Sequence, residues 1–179
     1  ALVRDSAATV HAYLNDGGRW ARWGDKGPDH LPLSAQELQT YDAIILGDLG
    51  ADAFRDADLL AIANHIRRGG AGLVVIPGET GATTSLARTT LADLLPATLP
   101  DAATISRGYR EQKPRNLSRT PLAESLSLLD SGGTGWDELM PLLGAAPCEP
   151  RPGSEKLAVD QDGAALVVAR AAGAGRTIM

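Results

Sequence analysis

The sequence predicts an α/β fold in which a mostly parallel sheet is followed by antiparallel hairpins at the C-terminal end. The first observation is a pair of short, continuously apolar segments, Ala43–Leu46 and residues 73–76, on either side of a helical stretch. Such runs are typical of strands covered on both faces, and a crossover between them makes the strands parallel. The second observation is a series of three β-type segments, residues 155–159, 164–170 and 175–179, joined by glycine-containing turns.

The predicted crossover helix spans about residues 56–68. Its apolar residues recur at the spacing of one buried helix face: Leu59, Ile62, Ala63 and Ile66. Acidic residues near its start and two arginines near its end both suit the helix dipole. We expect the pair Gly69-Gly70 to end it, because glycine adopts the left-handed cap conformation at little steric cost.

The N-terminal part of the chain is predicted to hold one strand and one short helical turn. Residues 9–14 alternate between apolar and polar side chains, which is typical of an outer strand. Residues 15–32 are rich in Gly, Asp, Trp and Pro and are interpreted as a long surface loop. Ser34 followed by Glu37 resembles a capping box at the start of the helical turn.

The middle of the chain gives weaker signals. Residues 89–95 are predicted to form a helix that ends at Pro96, and residues 136–143 form a short amphipathic segment. The Pro-broken, polar stretch from residue 96 to residue 121 receives no assignment.

Composition fits one α/β domain over residues 1–179, large enough to bury a core without disulfides or metals. Aromatic residues make up only 4%, so aliphatic side chains must build that core. The net charge of −5 and the lack of a basic run longer than Arg67-Arg68 argue against a nucleic-acid surface. No apolar run approaches the roughly 18 residues that span a bilayer, so no direct membrane insertion by this segment is expected.

The two ends of the sequence suggest a piece of a longer polypeptide. Residues 1–5 lack an initiator Met and resemble the last turn of a helix, while residues 175–179 stop within a strand-like segment. A mature chain with frayed ends is the alternative.

A candidate ligand site lies in the loops that follow the two apolar strands, residues 47–50 and 78–81. Because the carboxyl ends of parallel strands meet at one edge of a sheet, polar groups there can converge on a ligand. The predicted ligand-binding residues are Asp48, Gly78, Glu79, Thr80 and Thr83, with Thr84 beside them. The competing interpretation is that the glycines only permit tight turns and that Asp48 or Thr80 caps the following segment.

Other chemically suggestive residues are interpreted as structural. Cys148 lies in a loop with no His near it in sequence and is expected to be an incidental thiol. The three histidines, His11, His30 and His65, lack metal-ligand spacing, so no metal site and no cofactor are predicted. Residues 69–72 (GGAG) follow a helix instead of starting one, which favours capping over a phosphate cradle.

Trp20 and Trp23 alternate with arginines in a Gly/Pro-rich stretch. Exposed aromatic side chains beside arginine often mark contact surfaces. Folding of these rings back onto the core is an equal alternative.

Six segments, taken together and in order, resemble the class I glutamine amidotransferase-like superfamily. Specifically, they resemble the amidotransferase-type domain near the C-terminal end of large bacterial membrane-anchored proteins that also carry a von Willebrand factor A domain. The segments are residues 41–48 (YDAIILGD), 69–78 (GGAGLVVIPG), 91–96 (LADLLP), 136–141 (WDELMP), 151–158 (RPGSEKLA) and 173–177 (GAGRT). The resemblance implies a three-layer, flavodoxin-like architecture, with a strand and most of a helix before Ala1 and one more strand after Met179.

The resemblance does not carry the enzyme's chemistry with it. Active members place a Cys on the elbow after the second strand and a late His with a Glu two residues on. Aligning the elbow glycine with Gly78 puts Ile76 at the nucleophile position, or Pro77 if the register slips by one. The last histidine of this chain is His65.

The sequence therefore predicts a non-catalytic binding or assembly module of a larger bacterial protein. Its partner would be an unknown protein or other domains of a parent chain that is membrane-anchored, with this segment a soluble domain. Two alternatives stay open: a hydrolase or amidase with an unconventional nucleophile such as Ser85 or Thr83, and a flavodoxin-like small-ligand binder.

Overall fold

The structure, a computed structural model, describes residues 8–23, 30–111, 114–120, 140–145 and 148–179. The helices are α1 (Ala35–Leu38), α2 (Asp56–Gly69) and α3 (Ala102–Glu111), with 3-10 turns at Ala51–Ala53, Ala82–Arg88 and Ala92–Leu94. The strands are β1 (Ala12–Asp16), β2 (Arg19–Trp23), β3 (Ala43–Leu46), β4 (Gly72–Val75), β5 (Ala97–Thr98), β6 (Ser118–Arg119), β7 (Glu149–Pro150), β8 (Ser154–Val159), β9 (Ala165–Ala172) and β10 (Gly175–Ile178). No helix of these ranges is long and apolar enough to cross a membrane.

One mixed sheet organises the described residues, in the order β3-β4-β10-β9-β8-β6. Strand β4 is parallel to both β3 and β10. The remaining pairings, β10 with β9, β9 with β8 and β8 with β6, are antiparallel. The α/β class and the C-terminal hairpins are confirmed. The expectation of a mostly parallel sheet is not confirmed here, because strands joined by short turns at the C-terminal end can pair only antiparallel.

The unit β3-α2-β4 forms as the hydrophobic pattern predicted. Strands β3 and β4 pair in register, with Ile44 opposite Leu73. The apolar stripe of α2 is buried against one face of the sheet, where it joins the core around Leu73 and Val75. Gly70 ends the helix in the left-handed conformation, with φ of 79°. Side chains that alternate with these core residues point to the opposite face, where Ile45 and Ile76 are half exposed.

The N-terminal residues form a hairpin where the sequence predicted a strand followed by a long loop. Strands β1 and β2 pair antiparallel over residues 12–23, so the predicted strand at residues 9–14 is displaced and the loop at residues 15–32 is wrong over its first part. Gly17 and Gly18 have φ of 56° and 87°. Two adjacent residues of positive φ are what a two-residue hairpin turn requires, and two glycines supply them without strain.

The predicted helix at residues 89–95 is wrong. Thr89 is extended, with φ of −116° and ψ of −178°, and separates two 3-10 turns. Its hydroxyl donates to the carbonyl oxygen of Leu86 over 2.8 Å and accepts from the backbone N–H of Leu91 over 3.2 Å. Local bonds of this kind compete with helical ones, and they break the helix that the apolar spacing suggested.

Helix α3 lies in the stretch that the sequence left unassigned. Asp101 caps it, since one carboxylate oxygen accepts from the backbone N–H of Thr104 over 2.9 Å and the other from the Thr104 hydroxyl over 2.8 Å. Ile105 anchors the helix and is fully buried. Of the segment at residues 136–143, only residues 140–143 are described. Leu142 there forms a β-bridge with Arg115.

We expect Ile66→Ala to lower the free energy of unfolding by about 2–5 kcal/mol, because it removes buried methyl groups between α2 and the sheet. Leu60→Ala on the exposed side of the same helix should change it by less than about 1 kcal/mol. Urea denaturation followed by circular dichroism measures both. Equal losses would contradict the assignment of the buried face.

Candidate functional site

Asp48 joins the loop after β3 to the loop after β4. Its Oδ2 accepts from the backbone N–H of Thr80 over 2.9 Å and from the Thr80 hydroxyl over 2.6 Å. Its Oδ1 accepts from the hydroxyl of Thr83 over 3.1 Å. The structure thus brings together three of the predicted site residues. Their polar groups are bonded to one another, which is the arrangement that the capping interpretation expects.

Gly78 completes this junction because only a residue without a side chain fits there. A Cβ atom added to Gly78 would lie 2.5 Å from both Cβ and Oδ2 of Asp48. The backbone N–H of Gly78 also helps to lower the pKa of the Asp48 carboxylate. The glycine is therefore needed for close approach, and not for an unusual backbone angle.

The Asp48 carboxylate is held in its charged form. Burial alone would raise its pKa, but the hydrogen bonds from Thr80, followed by those from Thr83 and the Gly78 backbone, outweigh that effect and lower the pKa below its ordinary value. At neutral pH an ionised carboxylate therefore fixes the two loops.

The remaining predicted site residues do not join this junction. Glu79 is exposed to solvent. The Thr84 hydroxyl donates to the carbonyl oxygen of Gly81 over 2.8 Å. Ser85 donates to the carbonyl oxygen of Ala82 over 2.7 Å and accepts from the backbone N–H of Ala51 over 2.8 Å.

Ile76, the residue at the elbow, lies on the other side of the sheet from α2. Its backbone N–H donates to the carbonyl oxygen of Leu46 over 2.8 Å, and its side chain is 54% exposed. It lines a cavity of about 340 Å³. The cavity lies among strands β4, β9 and β10, helix α3 and the loop at residues 140–145; its lining residues are Val74, Val75, Ile76, Pro77, Leu99, Tyr109, Leu142, Gly144, Ala145, Cys148, Leu166, Val167, Ile178 and Met179.

Tyr109 is a wall residue that the sequence reasoning missed. Its hydroxyl donates to the carbonyl oxygen of Pro77 over 2.8 Å, so α3 is tied to the elbow loop. Burial raises the pKa of Tyr109, and the negative charge of Asp48 raises it further. The sequence signal that could have found it is the cap residue Asp101 followed by the buried Ile105, which together mark a helix carrying Tyr109 on its inner side.

Cys148 is the other titratable wall residue. Its thiol lies 3.5 Å from the carbonyl oxygen of Ala165, at donor distance. Burial raises the pKa of the thiol, and the nearby Lys156 offsets this only in part. The group is therefore a neutral thiol at physiological pH, which agrees with the expectation of an incidental cysteine.

The histidines lie near the amino end of β3, away from Asp48. His11 Nδ1 lies 2.7 Å from the hydroxyl of Tyr41, and His65 Nε2 lies 2.9 Å from the carbonyl oxygen of the same residue. His30 Nε2 lies 2.5 Å from a carboxylate oxygen of Glu37. Among the residues that the structure describes, no group of three or more His, Cys, Asp or Glu side chains could hold a metal ion.

Of the two tryptophans, Trp20 folds back onto the domain and Trp23 stays exposed. Trp20 packs towards the body of the domain, with its ring centroid 5.6 Å from that of Phe54. Trp23 is 66% exposed. The hairpin register places Trp23 on the same outer face as Leu14, which is also exposed.

Comparison with known proteins gives a fold likeness. No protein-family model matches the chain, and no curated protein matches it. Cytoplasmic Protein STM1381 from Salmonella typhimurium LT2 superposes with a TM-score of 0.65 at 20% identity, over 94% of this chain and 82% of that one. Cytoplasmic Protein STM3548 from Salmonella typhimurium gives 0.59 at 17% identity, over 94% and 81%. At these identities the likeness shows a shared fold alone.

We expect Asp48→Asn to lower the free energy of unfolding by about 1–3 kcal/mol at neutral pH, because an amide has one acceptor oxygen and cannot accept from both Thr80 and Thr83. The Asp48 pKa is lowered by folding, so its contribution is present above the ordinary value of 3.8 and is lost as the pH falls through the lower, folded-state value. Urea titrations from pH 2 to pH 7 should show the two proteins converging in acid. The exposed control Glu79→Gln should stay within about 0.5 kcal/mol of the parent at neutral pH. Curves of Asp48→Asn and parent that stay parallel throughout would contradict this account.

We expect Gly78→Ala to destabilise the domain by about 1–3 kcal/mol, because the new Cβ overlaps Asp48. The same change in an Asp48→Gly background should cost clearly less, since the overlapping atoms are gone. A double-mutant cycle of unfolding free energies measures this coupling. Strictly additive losses would show that the two residues do not meet.

Proposed function

We propose that this chain is a non-catalytic domain of the class I glutamine amidotransferase-like type, with its three-layer flavodoxin-like architecture, that serves as a binding or assembly module of a larger, membrane-anchored bacterial protein. The observation that carries the proposal is Ile76 at the elbow after β4. An aliphatic side chain there cannot attack the γ-amide of glutamine.

Among the described residues, the hydroxyl and thiol groups considered as unconventional nucleophiles are not activated. The hydroxyl of Thr83 donates to the Asp48 carboxylate, whose lowered pKa makes it a weak base. The hydroxyl of Ser85 donates to the backbone carbonyl of Ala82, which cannot take up its proton. The Cys148 thiol has a raised pKa, where a nucleophilic thiol needs a lowered one. No described histidine bonds to any of these three residues. These contacts count against the alternative of a hydrolase with an unconventional nucleophile.

Two surfaces support the binding and assembly roles. The apolar cavity beside Ile76 has the size of a small-molecule site. The outer face of the β1–β2 hairpin exposes Leu14 and Trp23, and exposed aromatic residues are enriched at protein contacts. The polar pocket expected at Asp48 gives less support, because its carboxylate is engaged by Thr80 and Thr83.

We expect no glutamine hydrolysis by the purified domain. The measurement is ammonia release from L-glutamine, with an active glutaminase in the same assay as a positive control. Cys148→Ser and Ser85→Ala should match the parent at background. Hydrolysis above background that is lost in one of these variants would overturn the proposal and identify the nucleophile, provided that circular dichroism shows the variant to be folded.

A further inference from the structure

We infer that the cavity beside Ile76 is a binding site for a neutral, mainly apolar small molecule that carries one hydrogen-bond donor. This inference rests on the proposed function, since it names the ligand class of a binding module.

The cavity has the dimensions of a ligand site and an open approach. Its volume of about 340 Å³ lies within the range of about 300–1,000 Å³ that small-molecule pockets occupy. Two of its lining side chains, Ile76 and Leu142, are 54% and 39% exposed, so the apolar lining reaches the surface. A void left inside a packed core would not expose them.

The charge of the lining defines the ligand. No Asp, Glu, Lys, Arg or His belongs to the lining among the described residues. Its ionisable side chains are Tyr109 and Cys148, and both are neutral at physiological pH because burial raises their pKa values. A charged group that entered this space would lose its hydration without meeting an opposite charge in the lining, which costs several kcal/mol. The charges of Asp48 beside Tyr109 and of Lys156 beside Cys148 lie outside the lining. The ligand is therefore neutral.

A single polar anchor sets the ligand's orientation. The Tyr109 hydroxyl uses its proton on the carbonyl oxygen of Pro77, so its lone pairs remain to accept a hydrogen bond. A ligand N–H or O–H suits that acceptor. The junction at Asp48 holds the loop that follows Pro77 and so keeps the anchor in place.

The sheet offers a matched control for the site. Ile45 and Ile76 are both about half exposed, at 51% and 54%, and lie on the same face of neighbouring strands. Ile76 lines the cavity and Ile45 does not. Substitution of either residue changes the surface to a similar degree, but only one of them changes the site.

The experiment compares two fluorescent probes that share an anilinonaphthalene frame. N-phenyl-1-naphthylamine is neutral with one N–H donor, and 8-anilino-1-naphthalenesulfonate adds a sulfonate. Titration of the intact chain should show saturable binding of the neutral probe, at least about tenfold tighter than that of the anion. Equal affinities, or no saturable binding of the neutral probe, would overturn the inference.

Three variants locate the binding. Ile76→Lys should weaken binding of the neutral probe at least about tenfold, because a cation then lines the site. The same change should narrow or reverse the site's preference for the neutral probe over the anionic probe. Ile45→Lys should leave both affinities unchanged. Tyr109→Phe should weaken binding of the neutral probe about fivefold, because the hydroxyl acceptor is lost. Binding of 1-phenylnaphthalene, which lacks the N–H, should change little. Equal effects of the two lysine variants would overturn the inference.

These outcomes are independent of the glutaminase assay. Absence of probe binding with no glutamine hydrolysis would overturn the ligand site and leave the non-catalytic assignment intact. Glutamine hydrolysis would overturn the proposed function whatever the probes show.

Discussion

The hydrogen bonds of the Asp48 carboxylate hold together the edge of the sheet at which β3 and β4 end. The carboxylate binds the loop after β4 through Thr80 and Thr83, across more than thirty residues of chain, and Gly78 gives it room. Strands β3 and β4 are held together by the hydrogen bonds of their own pairing. The loops that follow these strands have no such pairing to fix them. A half-buried, charged acceptor that satisfies several donors supplies that order.

This junction changes what the edge can recognise. In open α/β sheets the polar groups at the carboxyl ends of parallel strands usually face a ligand. Here those groups face one another, so an incoming ligand meets no free carboxylate from Asp48. An accessible cavity lies on the other side of β4, where side chains such as Ile76 make its lining apolar. In the proposed ligand site, recognition therefore rests on shape and burial and not on charge.

The sequence predicted the elements of the fold correctly where the hydrophobic spacing was regular. The strand–helix–strand unit and the C-terminal hairpins follow from periodicity and glycine positions, because backbone geometry alone ties spacing to element type. The errors fell where a local cap or turn, and not hydrophobic spacing, decides the backbone conformation. Thr89 breaks a helix in this way, and the pair Gly17-Gly18 makes a turn where a loop was expected. The cap at Asp101 was overlooked for the same reason, and with it helix α3.

The sequence by itself determined that Asp48, Gly78, Thr80 and Thr83 lie at one edge, since parallel strands bring their carboxyl ends together. It also determined that the residue directly after β4, Ile76, is aliphatic. Only the tertiary structure decided that Asp48 accepts hydrogen bonds from Thr80 and Thr83 and that a cavity lies beside Ile76. The reason is physical. Differences in distance of a few tenths of an ångström decide which hydrogen-bond partners meet, and the cavity is formed by β4, α3, β9 and β10 together. Strand β4, helix α3 and the β9–β10 hairpin are far apart in the chain, and no local pattern indicates that these three parts meet.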